Sequence, residues 1–221
     1  MKRFSALTGL LGIETRLQLQ NPLAPLAMLV CGLFGFFIIQ NFPVDKGVSL
    51  WGPYYLTRTL ITVGFIIPCM QAYFAAKASV RDVQHQTEEL MLSTPVTKSQ
   101  YLLSRWGGLL LASSLLYLSF LIGVVFGLFQ VAEQTIDLPV MLGSLAWASL
   151  IFILPALVLS SLVMFAIGLA SRSAFVVFLV AGLSFFFYQL MSAITGSPTM
   201  AQPFVLNDTL KLLFDFFDPM A

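Results

Sequence analysis

Charge is scarce in this chain. Asp, Glu, Lys and Arg make up 10% of its 221 residues, where a soluble domain carries roughly 25%. So few charged side chains cannot coat a water-facing surface. With 58% apolar residues and a mean hydropathy of +0.91, lipid must cover much of the exterior. A net charge of +1 leaves no basic surplus for nucleic acid.

Histidine and cysteine are nearly absent too. His85 stands alone in a polar stretch, no His/Cys/Asp/Glu cluster has metal-ligand spacing, and no Ser/His pair falls within the apolar runs. Glu88-Glu89 is a pair of carboxylates without the histidines that a membrane metalloprotease needs. No Gly-x-x-x-x-Gly-Lys-Ser/Thr loop is present, so the chain is not expected to hydrolyse nucleotide by itself. Catalytic, cofactor-binding and metal residues are all expected to be absent. Cys31 and Cys69 each lie inside an apolar run and read as small buried or lipid-facing side chains rather than a disulfide.

What is present is a series of long stretches without charge. The hydrocarbon core is roughly 30 Å thick, so a spanning helix needs about 20 apolar residues. Charge-free intervals place five spans near 23–40, 55–76, 102–129, 141–169 and 174–195. Lipid offers the backbone no hydrogen-bond partner, and the runs do not alternate as barrel strands would. The fold class is therefore all-α, a polytopic helical membrane protein, with local kinks expected at Pro68 and Pro155.

Around this transmembrane domain of residues 23–195 lie two amphipathic segments. In residues 1–22 a mostly apolar stripe of Phe4, Leu7, Leu10, Leu11, Glu14 and Leu17 ends at Asn21-Pro22, the pattern of a helix lying in the interface. Polar residues interrupt this segment and no small-residue cleavage site follows, so it reads as retained. In residues 196–221 Leu206, Leu210, Leu213, Phe214 and Phe217 mix with Asp208, Lys211, Asp215 and Asp218, as an extracytoplasmic amphipathic helix would. Its abrupt end suggests the first part of a longer chain.

Lys and Arg set the orientation. Lys2, Arg3, Arg16, Lys77, Arg81, Lys98, Arg105 and Arg172 fall in segments that alternate with those holding Lys46, Arg58 and Lys211. Eight against three places the N-terminus in the cytoplasm. None of the charges lies at mid-span, where ion-coupled carriers keep theirs; Arg58, Lys77 and Arg105 are near span ends, where they can snorkel. The pattern favours a permease that draws energy from a partner.

The most polar internal segment is the cytoplasmic loop 77–101. Val83, Thr87, Leu90 and Met91 form the apolar face of a short helix that shows Asp82, His85, Gln86, Glu88 and Glu89 on its other side. Thr94-Pro95 stops it, and Thr97-x-x-Gln100 reads as a capping box opening the third span. Pattern alone leaves two readings open: a helix that docks in a partner's groove, or a solvated loop helix. In the third span Gly123-x-x-x-Gly127 matches a close-packing motif that chance explains about as well, and Gly107, Gly108, Ala112, Ser113 and Ser114 make its start narrow.

The run Arg81-Asp82-Val83-Gln84-His85-Gln86-Thr87-Glu88-Glu89-Leu90-Met91-Leu92-Ser93-Thr94-Pro95-Val96, followed by Tyr101-Leu102 and Arg105, resembles the cytoplasmic loop of ABC-2-type permeases. Glu14-x-Arg16…Asn21-Pro22 is similar to that family's interfacial helix, and Phe217-Asp218-Pro219 to an element before its last span. The resemblance implies six spans and a coupling helix at residues 82–92. Asp82, Val83, Thr87, Glu88, Glu89, Leu90 and Met91 would then contact a cytoplasmic ABC ATPase, with Glu88 and Glu89 as its polar contacts. ATP and Mg would be bound by that ATPase, and two permeases, alike or different, would pair. The implied function is ATP-driven export across a bacterial inner membrane, by a chain that is not itself an enzyme. Details such as Arg105-Trp106-Gly107-Gly108 also resemble permease halves fused to an M1-type peptidase. The rival reading is a non-transporting membrane scaffold that recruits a cytoplasmic partner through the same helix.

Orientation is testable by single cysteines in a variant with Cys31 and Cys69 replaced by alanine. In intact cells a membrane-impermeant maleimide is expected to label Thr135→Cys and not Ser99→Cys, because only the former lies outside. The reverse pattern would contradict the charge argument.

Overall fold

The computed structural model describes residues 2–41, 49–64, 66–85, 97–131 and 137–195, and among these there is no strand. The helices are α1 (Lys2–Leu19), α2 (Leu23–Asn41), α3 (Pro53–Gly64), α4 (Ile67–His85), α5 (Lys98–Val131), α6 (Leu138–Ala148), α7 (Leu154–Ser171) and α8 (Ala174–Thr195). A π-helical turn, Ser149–Ile153, joins α6 to α7. Leu23–Asn41, Lys98–Val131 and Leu138–Ser171 are long and apolar enough to cross a membrane, and Ala174–Leu190 is a shorter apolar helix. The chain is a helical membrane protein.

Proline decides how the remaining stretches divide. The charge-free run at 55–76 is two helices, α3 and α4, and Pro68 occupies the second position of α4. In the first turn of a helix its missing N–H leaves no bond unmade. Pro155 takes the same position in α7, after the π turn in which the Leu154 N–H donates to the Ser149 carbonyl. Pro68 thus starts a helix, whereas Pro155 sits within the continuous helix Leu138–Ser171, directly after its π turn.

Burial follows from lipid being the solvent. Leu29, Val30, Phe126, Trp147, Leu150 and Phe175 are more than half exposed, whereas Thr59, Gln71, Ser113 and Ser161 are buried. Each of these four side chains donates to a backbone carbonyl: Thr59 to Tyr55, Ser113 to Leu109, Ser161 to Val158, and Gln71 across to Leu157 at 3.0 Å. Such bonds are the condition for keeping a polar group away from water.

Small residues let α2 and α5 touch. A Cβ on Gly123 would strike the Gly32 carbonyl, one on Gly35 would strike the Phe120 carbonyl, and one on Gly127 would meet the Phe36 carbonyl at 2.9 Å. The Gly123-x-x-x-Gly127 spacing is therefore a packing seam. Where α2 and α5 end together, Gln40 donates to Gln130 at 3.0 Å.

The opposite end of the bundle gathers Glu14, Lys77, Arg81, Arg105 and Arg172. There α4 runs out past Ser79, which packs on Gly168 of α7. Four residues on, Arg172 adopts left-handed geometry (φ 51°), and its N–H closes α7 on the Gly168 carbonyl before α8 begins. Helix α1 lies at this same end, against α4 and α5. With 34 residues, α5 is roughly 51 Å long at about 1.5 Å per residue, longer than the hydrocarbon is thick, so its polar first turns reach beyond it.

Candidate functional site

Of the residues assigned to the coupling helix, Asp82 and Val83 lie on the last turn of α4. Their side chains, and Thr87, Glu88, Glu89, Leu90 and Met91, fall outside the described residues. What the structure describes are the two arms that hold this loop, α4 entering it and α5 leaving it. Thr97 and Gln100 cap α5 reciprocally, the Thr97 N–H donating to Gln100 Oε1 at 3.3 Å and the Gln100 N–H to Thr97 Oγ1 at 3.4 Å.

The arms meet on a buried carboxylate. Glu14 of α1 is 6% exposed and accepts a paired bond from Arg81 of α4, Nη2 to Oε1 at 2.6 Å and Nη1 to Oε2 at 3.0 Å. Arg105 of α5 brings its Nε within 3.6 Å of the same Oε1. Its Nη1 donates to the Ala78 carbonyl of α4 at 2.8 Å, and its guanidinium lies 4.8 Å from the centre of the Tyr101 ring. One carboxylate thus ties three helices.

The rest of α1 is fastened to the same two arms. Lys77 donates to the Leu17 carbonyl at 2.8 Å, Gln18 to the Phe74 carbonyl at 3.4 Å and, just past the end of α1, the Asn21 amide to the Tyr73 hydroxyl. Against α5 the contact is steric. A Cβ on Gly107 would lie 2.7 Å from Leu11 Cδ1, and one on Gly108 2.8 Å from Glu14 Cβ. This glycine pair is the seat in which α1 rests.

A buried ion pair survives desolvation only with good geometry and additional hydrogen bonds. The planar guanidinium of Arg81 matches the carboxylate fork, and Arg105 donates to a backbone carbonyl while its charge lies near the same carboxylate. Arg105 is 2% exposed: it turns inward to Ala78 and does not snorkel. Sequence reasoning missed this junction, although its sign was present, since Glu14 is the one charged residue on the apolar stripe of its helix. Among the described residues no three His, Cys, Asp or Glu side chains gather as a metal site.

The sequence model of the ABC-2 family transporter proteins matches residues 8–221. This chain belongs to the ABC-2 transporter family. No curated protein and no solved structure matches it. As an ABC-2 family member it is a membrane permease of an ABC transporter, and that family implies an ABC ATPase as its partner. In this permease the buried charges sit about one turn from the end of α4 and about two turns into α5, on either side of the loop.

The seat makes a prediction. Gly108→Val would push α1 off α5, overpacking that costs about 1–3 kcal/mol and so raises local opening roughly 5- to 150-fold. With the permease in nanodiscs, trypsin cleavage after the exposed Arg16 is expected to accelerate by that factor. Unchanged cleavage would show that α1 is not held at this glycine.

Proposed function

We propose that this permease is driven by ATP hydrolysis in a cytoplasmic ABC ATPase that engages the loop between α4 and α5, and that it moves its substrate outward across a bacterial inner membrane. The observation that carries this reading is the convergence of both loop arms on one buried charged junction. A loop with independently hinged arms would dissipate a push. Arms locked together near their roots pass it to the spans.

Two further features support the reading. The basic residues Lys77, Arg81, Lys98, Arg105 and Arg172 belong to the junction end of the chain's helices, in keeping with a cytoplasmic face there and a cytoplasmic N-terminus. Neither α2, nor α5 beyond Arg105, nor the segments 138–171 and 174–195 contain Asp, Glu, Lys or Arg. Those segments therefore offer no group to carry a coupling proton or ion at mid-depth, in keeping with energy from the partner. In this reading ATP and Mg are bound there, and this chain contributes no catalytic residue. Two permeases, identical or different, enclose the route. Outward direction rests on the likeness of the loop to those of ABC-2-type permeases.

Glu88 and Glu89 are the polar contacts to the ATPase in this account. Each charge-assisted contact is worth about 1.5–3 kcal/mol, so Glu88→Lys with Glu89→Lys is expected to lower permease-dependent ATP hydrolysis at least roughly tenfold while the protein still inserts. Full hydrolysis by an assembled double variant would remove these residues from the contact.

A further inference from the structure

Coupling through the loop between α4 and α5 leaves open what turns a local push into a movement of whole helices. The arms could bend where they leave the membrane, and α1 could remain behind in the interface. Three observations argue against both. Arg105 fixes the root of α5 to the Ala78 carbonyl of α4 at 2.8 Å. Arg81 fixes the root of α4 to Glu14 through two bonds, 2.6 and 3.0 Å. Glycines 107 and 108 let α1 approach α5 so closely that a single added methyl would clash with Leu11 or Glu14. Each pair of the three helices is thus joined, by charge, by a hydrogen bond to backbone, or by close packing.

We propose that Glu14 is a positioning residue for energy coupling: its carboxylate makes α1 and the roots of α4 and α5 one rigid body, so that movement of the loop is delivered to all three. The inference rests on the ATP-coupled reading above and names a residue outside the loop itself. Charge balance gives the reason for a carboxylate at this place. Without Glu14, the Arg81 and Arg105 guanidiniums would lose the counter-charge that they share. Neutralising position 14 therefore weakens the link between the two arms as well as releasing α1.

The test uses the complete permease with its ATPase in nanodiscs, Cys31 and Cys69 replaced by alanine, and spin labels at Gly12→Cys and Leu102→Cys. Position 12 has open space around an added Cβ, and Leu102 is exposed. Electron–electron distances are measured without nucleotide and with ATP and vanadate. The labelled but otherwise native protein is expected to give the same single narrow distance in both states. Glu14→Gln is expected to lose it, giving a broad distribution that shifts when ATP is added. Arg81→Lys keeps the charge without the paired fork and is expected to broaden the distribution less, and it serves if Glu14→Gln does not insert. A separation that changes with ATP in the native background would overturn the rigid body. So would an unaltered narrow distance in Glu14→Gln or, where that variant does not insert, in Arg81→Lys. Failure of the coupled reading looks different: no ATPase associates, or hydrolysis ignores the permease, while the nucleotide-free distances still report whether Glu14 holds the joint.

Discussion

The ion pair between Glu14 and Arg81, with Arg105 beside it, is the interaction on which the end of the bundle depends. Buried among helices at 6% exposure, Glu14 has little water to solvate its carboxylate, and a charge persists there only with partners inside the protein. Glu14 finds two, one on each arm of the same loop. Removing one partner of such a pair costs about 3–5 kcal/mol, because the other is left buried and uncompensated. That cost holds α1 in place, and α1 in turn closes over the roots of α4 and α5.

The remainder of the bundle is organised to keep those roots in register. Lipid provides no hydrophobic drive for one apolar helix to leave it for another, so association relies on close packing and on buried hydrogen bonds. The seam of Gly32, Gly35, Gly123 and Gly127 brings α2 against α5, and Gln71 bridges α4 to α7 by donating to Leu157 while accepting from Ser160 at 2.5 Å. At the first residue of the π turn, Ser149 pairs with Tyr117 of α5 at 2.8 Å. The span that contains this turn thus has its loosened section tied to a neighbour. A displacement delivered at the charged end can travel along α5 and α4 because neither is free to slide.

Much of this was legible in the sequence, for a physical reason. Hydrocarbon thickness sets a length for apolar runs, and runs such as 23–40 and 102–129 meet it without any tertiary information. The narrow start of α5 was also visible, because glycines beside small residues declare where a neighbour must come close. The break at Gly64–Ile67 was not, since proline within an apolar run signals an interruption without saying whether the helix bends or restarts. Gly123 and Gly127 were ambiguous until a partner carbonyl was seen against them. The junction was harder still. Glu14 reads as a flaw in an apolar stripe, and Arg105 as an end residue free to reach water, until the fold shows that residues 67 and 91 positions away from Glu14 along the chain share its surroundings. Pairing across such separations is a tertiary fact that periodicity does not encode.

A double-mutant cycle on Glu14→Gln and Arg81→Gln, followed by unfolding of the purified permease in mixed micelles, tests the central interaction most directly. Residues that share a buried contact couple by about 0.5–3 kcal/mol, and the predicted result is a double variant more stable than the sum of the single losses requires, by an amount toward the top of that range. Strict additivity would mean that the two side chains do not meet, and the account of this junction would fall with it.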